Sequence, residues 1–256
     1  MKDLLLSFDV EEFDLPLELG LDISKDEMFN IGYSGLIEVL EMLGDKKATF
    51  FVSCEFAKKY SDIIRDISEK HEIGLHCLKH SDNYFNMSEE EFRENITEGK
   101  KIIEKITGKE VVGFRSPRMQ KPNYKVLKEL GFVYDSSYNP FYMPGRYNNF
   151  FGTRKLFYRD EILVVPGTAI PILKIPLIWL TFRNFGLWFA RIVSSLNFQR
   201  YINLYFHPWE FTNLKEMKLP WYMKRNTGDK VLNNLNKYIQ NYNLITFSDF
   251  VKKVHQ

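Results

Sequence analysis

Two histidines four residues apart, His76 and His80 in EIGLHCLKH, and an acidic run near the N-terminus, SFDVEEF, hold the side chains best suited to chemistry. On one helical turn, positions i and i+4 share a face, so both imidazoles can reach a single ion. Asp9 and Glu11 end an apolar strand, MKDLLLSF, and period-two alternation puts them on one side of it. Two histidines and one carboxylate, with a position left for water, make a hydrolytic Zn²⁺ arrangement. The helical metalloprotease pattern needs a Glu directly after the first His, where this chain has Cys77. That reading fails, and Asp9 becomes the first candidate for a general base.

The elements that must position these groups alternate along the chain. Strands are predicted at LLLSF, ATFFV, EIGLH, VVGFR, FVYDSS, INLYFH and NLITF. Helices are predicted over 34–43 (ending at Gly44), 55–69, from a Ser88/Glu91 capping box to about Thr107, over 123–130 (ending at Gly131) and over 228–241. A short helix follows the last strand. This alternation predicts a parallel α/β fold. Asp9, His76, Arg115, Asp135 and His207 all fall at strand ends, which converge on one face of a parallel barrel.

Bulk properties bound the alternatives. The chain has 256 residues, 35 basic and 33 acidic, so its net charge of +2 gives no electrostatic case for a nucleic-acid partner. Aromatic content of 16% supplies core and could also supply platforms for sugar rings. Two cysteines exclude a disulfide framework, and the start of the chain has no leader-like apolar run. A cytoplasmic compartment is the resulting expectation. Residues from about 141 to 200 break the alternation. They read as an apolar insertion within a single domain spanning 1–256, interrupted by Pro166, Pro171, Lys174, Pro176 and Arg183, and hence with no transmembrane segment. Packing on the barrel is the plain reading of this insertion. A hydrophobic lid for a lipid-linked substrate is the sharper one, and peripheral contact with a membrane is the third.

In that order, SFDVEEF, HCLKH, GFRSPR, YDSS and YFHPWEF resemble the motifs of the polysaccharide deacetylases, the NodB-homology proteins of carbohydrate esterase family 4. The FDVEE and HPWE forms are similar to a subgroup associated with exopolysaccharide synthesis. The resemblance covers residues 1–140 and 200–250. It implies a distorted (β/α)7 barrel, a divalent metal, usually Zn²⁺ with other transition ions able to take the same ligands, and hydrolysis of N-acetyl or O-acetyl groups on a sugar, free or lipid-linked. It also implies roles. Asp9 would be the general base, oriented by Arg115. Glu11, His76 and His80 would be the metal ligands, with Glu12 an alternative to Glu11. His207 would be the general acid, with Asp135 raising its basicity. Pro117, Arg118, Tyr138 and Trp209 are candidates for substrate contact, although Trp209 also fits the core.

The sequence departs from the family at Cys77, which replaces a hydroxyl residue and reads as packing, and at Arg118, which replaces an aromatic. Two rival functions stand beside deacetylation. One is hydrolysis of a small cyclic or other non-sugar amide on the same scaffold. The other is carbohydrate binding without catalysis, which predicts loss of the base or the acid, yet Asp9 and His207 are both present.

Overall fold

The computed structural model describes residues 1–256. Its frame is set by strand β1 (Asp3–Val10), in which every residue is buried. Leu4, Leu6, Phe8 and Val10 point into the main core shared with the surrounding helices, while Leu5 belongs to a separate inner cluster. Alternation then carries Ser7, Asp9 and Glu11 along the same inner side as Leu5. One face of one strand thus runs from apolar packing to candidate chemistry.

The remaining strands are β2 (Thr49–Ser53), β3 (Glu72–Cys77), β4 (Gly113–Phe114), β5 (Tyr134–Asp135), β6 (Tyr142–Met143), β7 (Tyr147–Asn148), β8 (Phe157–Arg159), β9 (Ile162–Val164), β10 (Tyr201–Phe206) and β11 (Asn243–Leu244). The main sheet runs β10-β1-β2-β3-β4-β5-β9, all parallel, with β8 antiparallel beyond β9 and β11 paired to the start of β1. It curls so that the segment after β9 meets β10. There the Thr168 N–H donates to the Asn203 carbonyl at 3.3 Å, and the Asn203 side-chain amide donates to the Val165 carbonyl at 3.1 Å. This is the expected distorted seven-stranded (β/α) barrel. Helices Lys25–Leu43, Ser61–Lys70, Glu89–Thr107, Tyr124–Glu129, Trp179–Leu196 and Asp229–Ile239 lie in the crossovers. Helix Phe247–Val254 closes one end, where Phe247, Phe250 and Val251 pack on Leu5, Phe51, Tyr134 and Leu163.

Several elements differ from expectation. The first helix begins nine residues earlier than its apolar periodicity indicates, capped by Ser24, whose hydroxyl accepts from the Glu27 N–H. The helix expected over 55–69 is two, Cys54–Lys59 and Ser61–Lys70, separated by Tyr60 at φ −125°, ψ 48°. His76 and His80 do not share a helical turn: His76 is the penultimate residue of β3 and His80 lies in the turn that follows. Nor is 141–200 wholly an insertion. It contains the barrel strand β9 and the crossover helix Trp179–Leu196, and only the β6–β7 hairpin and its neighbouring loops lie outside that frame. No helix is long and apolar enough to cross a membrane.

Close packing ties the first helix to the His207 segment. A Cβ on Gly35 would lie 1.8 Å from the Pro208 carbonyl oxygen and 3.2 Å from Thr212 Oγ1. Gly35→Ala is therefore expected to cost about 1–3 kcal/mol or more and to displace the loop that carries His207. Urea unfolding measures the first effect and turnover in the surviving folded fraction the second. An unchanged midpoint and rate would show that this contact is not required.

Candidate active site

The site is built on three buried ligand atoms. One ligand atom each from Glu11, His76 and His80 lies within 4.8 Å of the others. Glu11 Oε2 is 3.2 Å from His76 Nε2 and 2.9 Å from His80 Nε2. The opposite ring nitrogens are both engaged: His76 Nδ1–H donates to the Arg115 carbonyl at 2.8 Å, and His80 Nδ1–H donates to Asp14 Oδ2 at 2.7 Å. These acceptors fix both rings so that both Nε2 atoms face one carboxylate oxygen, the spacing that a divalent cation would use. Burial pushes Glu11 up, yet the charges of His80 and His207 outweigh it and hold its carboxyl well below the usual range. Burial pushes His80 down, and Glu11 and Asp14 more than reverse this, raising it well above an ordinary histidine. The residues thus fit a divalent metal: two imidazoles with fixed tautomers and one anionic carboxylate. Glu12 does not take part. It accepts from Ser53 Oγ at 3.1 Å and lies off this cluster.

Arg115 is fully buried and donates through Nη1 to Asp9 Oδ1 at 2.7 Å and Ser7 Oγ at 2.8 Å. Its Nη2 and Nε hold Ser136 Oγ and the Ser136 carbonyl, at 2.8 and 3.2 Å. Phe51 and Tyr205 flank its guanidinium, with ring centroids 4.3 and 5.1 Å away. Asp9 is therefore gripped by a side chain that reaches across the barrel from the end of β4.

His207 follows β10, and its Nε2 lies 3.9 Å from Glu11 Oε1. Its partner is Glu210, three residues on: Nδ1 is 3.1 Å and the backbone N–H 2.9 Å from Glu210 Oε1. Glu210 and Arg183 are both fully buried, with Arg183 Nε 3.3 Å from Glu210 Oε2. That approach is ionic rather than an aligned hydrogen bond, since neither atom has a hydrogen-bond partner. Burial lowers the His207 pKa, but Glu11 and Glu210 raise it above the ordinary value. Trp209 lies nearly parallel to the His207 ring at 5.1 Å, and Trp179 meets it edge-on at 5.2 Å.

Asp135 was expected beside His207 and is placed elsewhere. It accepts from the Ser137 backbone N–H at 3.1 Å, from the Ser137 hydroxyl and from Tyr124 Oη at 3.4 Å. Its environment is sealed, and burial pushes its carboxyl up to about 6. Cys77 packs in the main core, as its apolar reading predicts.

One cavity joins the remaining groups. Asp9, Glu11, His76, His80, His207, Arg118 and Trp209 all line it, whereas Pro117 and Tyr138 do not. Pro117 is buried, and Tyr138 packs edge-on against Phe157 at 5.2 Å. The sequence reading missed Asp14, Tyr205, Trp179 and the rim residues Glu18 and Arg146; Glu18 pairs with both Arg146 and the expected Arg118. Asp14 was within reach of inspection, since it extends the acidic run of Asp9 and Glu11. Trp179 and Arg146 carry no local pattern. Arg118 and Met119 both have left-handed backbones, at φ 53° and 55°, a conformation that is costly for residues other than glycine.

The comparisons with known proteins agree with this frame. The polysaccharide deacetylase family model matches residues 26–134. A structure from Mycobacterium smegmatis assigned as a polysaccharide deacetylase superposes with TM-score 0.69 at 18% identity, covering 99% of this chain and 90% of that one. An allantoinase gives 0.64 at 18% identity, again covering 99% and 90%. A CE4 family pseudoenzyme from Bacillus anthracis gives 0.57 at 15%, covering 98% of this chain and 65% of its own. No curated protein matches the sequence.

Two measurements probe the site without turnover. Asp14→Asn should weaken Zn²⁺ binding about 10- to 100-fold, because an amide holds the His80 ring less firmly; chelator competition reads this, and an unchanged affinity would remove Asp14 from the site. Asp135, raised above an unfolded value of about 3.9, favours the folded state fully below that pH, and its contribution is lost as pH rises through about 6. Thermal midpoints should fall over that window, and Asp135→Asn should flatten the decline. The chain has the curled α/β barrel fold seen in NodB-type deacetylase structures, and residues 26–134 match the polysaccharide deacetylase family model.

Proposed function

We propose that this protein is a metal-dependent hydrolase that removes an acetyl group from an amide or ester on a sugar. The observation that carries this reading is the gathering, in one cavity, of a Glu11–His76–His80 cluster with metal-ligand spacing, an Arg115-held Asp9 and a Glu210-held His207. Glu11, His76 and His80 would hold the metal, with Zn²⁺ the ion best suited to two imidazoles and a carboxylate. Such an ion lowers the pKa of water and polarises a carbonyl. Asp9 then accepts a proton as water adds to the acetyl carbon. His207 passes a proton from Nε2 to the departing nitrogen or oxygen as its bond to that carbon breaks, giving acetate and an amine or alcohol. Glu210 keeps the imidazole turned so that Nε2 faces the cavity. Leu15, Met119, Met143, Leu180 and Met223 give the cavity an apolar wall, which supports a substrate carrying a hydrophobic group such as a lipid-linked sugar. Exopolysaccharide synthesis is the setting that the FDVEE and HPWE motifs support.

The structural likeness to an allantoinase favours one second reading, hydrolysis of a small cyclic amide. Retention of both Asp9 and His207 argues against a purely binding role. Acetate release from acetylated chitooligosaccharides, set beside ring opening of cyclic imides, separates the two hydrolases. His207→Gln should lower acetate release by about 10²- to 10⁴-fold while metal content stays unchanged. Turnover of the imide alone would replace the deacetylase reading, and full activity in the variant would end the proposed role of His207.

A further inference from the structure

Two apolar turns stand out beside the cavity. Phe151 is 95% exposed, Ile172 85% and Leu173 65%. The turns are braced together: Arg154 Nη1 donates to the Ala169 carbonyl at 3.1 Å, and Lys174 Nζ donates to the Gly152 carbonyl at 2.6 Å. Ala169 belongs to a small cluster that also packs Met143, Tyr147 and Trp179, all residues of the cavity wall. The tips are therefore fixed to the rim of the site and point away from the core.

Backbone conformation adds a second, independent observation. Ile172 and Lys174 have φ of 60° and 53°. A β-branched residue in the left-handed region is strained, and one so exposed gains little packing in return. The strained turn places Ile172 and Leu173 in solvent with no benefit to the fold.

Charge supplies the third. Residues 141–200 contain eight basic and two acidic residues, a net of +6, which leaves −4 for the rest of a chain of net +2. Only Arg146 and Arg183 of these eight pair with an acid. Arg154 and Lys174, which brace the turns, and the exposed Lys155 beside them place positive charge next to the tips. Apolar tips within a cationic segment match an anionic bilayer: the tips enter the headgroup boundary while the basic side chains meet the lipid phosphates.

We propose that Phe151 and the Ile172–Leu173 turn seat this protein on an anionic membrane surface, with the cavity mouth beside the bilayer. The inference does not depend on the reaction, because binding is measured without substrate. Flotation of the full-length protein with vesicles of phosphatidylcholine plus phosphatidylglycerol should recover it, pure phosphatidylcholine should recover much less, and added salt should release it. Ile172→Asn should reduce flotation, and Phe151→Ser with Leu173→Ser should cut it by about tenfold or more. Asparagine tolerates the left-handed backbone, so Ile172→Asn should melt no lower than the wild type. Absence of flotation, or flotation equal with and without the anionic lipid, would overturn the proposal. So would a wild-type dimer that the same substitutions convert to monomer without any vesicle binding, since the turns would then serve a second copy of this chain.

Discussion

Arg115 is the constraint on which the barrel's chemistry depends. Its guanidinium is buried without exposure, and a buried charge is costly unless it is paired and hydrogen-bonded. The surrounding structure meets that demand from several strands: Asp9 and Ser7 on β1, Ser136 just after β5, and the rings of Phe51 on β2 and Tyr205 on β10. Its backbone does further work. The N–H donates to the Leu75 carbonyl, extending the pairing of β4 with β3, and the carbonyl fixes the His76 ring. One residue therefore positions the candidate base and one candidate metal ligand together. Removing Arg115 alone would leave Asp9 buried without its partner, a loss that typically costs about 3–5 kcal/mol, so the pair is held together as well as aligned.

A second buried charge performs the parallel task for the candidate acid. Glu210 contacts both the backbone N–H and the ring of His207, and Arg183 stands behind it. Arg183 also donates to the Met223 carbonyl, and Met223 lines the cavity. The two halves of the site are thus held by separate arginine–carboxylate pairs. They converge only at Glu11, whose two oxygens face the histidine pair on one side and His207 and Trp209 Nε1 on the other.

Much of this was legible in the sequence, and the failures have physical causes. Asp9 and Glu11 were readable because alternation on a long buried strand is unambiguous. The histidine pair was located, but its backbone was not, since spacing of four residues also fits a strand end followed by a tight turn. Strands β4 and β5 are only two residues long, yet the apolar runs VVGFR and FVYDSS that contain them were enough to place both. β9 was hidden because a barrel strand covered on both faces reads as a plain apolar run, which the prolines after it made look irregular. The partner of His207 was misassigned for a different reason. Asp135 lies at a strand end, but Tyr134 faces the inner cluster, so alternation turns Asp135 to the helix side, where Ser137 and Tyr124 satisfy it. Glu210, three residues past the histidine, can fold back through the short 3₁₀ turn Pro208–Phe211.

That turn explains why the 141–200 segment cannot be separated from the chemistry. Helix Trp179–Leu196 begins at the cavity with Trp179 against His207 and carries Arg183 to Glu210 within little more than one turn. The preceding loop supplies Ile178 and Ala169 to the cluster beneath Tyr205. Any displacement of this loop would be felt first by Trp179, and then by the Arg183–Glu210 pair that sets the imidazole. A rigid mount is therefore required where the loop meets the barrel, and the structure provides it: the Thr168–Asn203 hydrogen bond closes the seam between β9 and β10, one strand from Asp9. Beyond that mount the chain is free to expose apolar tips, because the bonds that align the candidate catalytic groups all lie on its inner side.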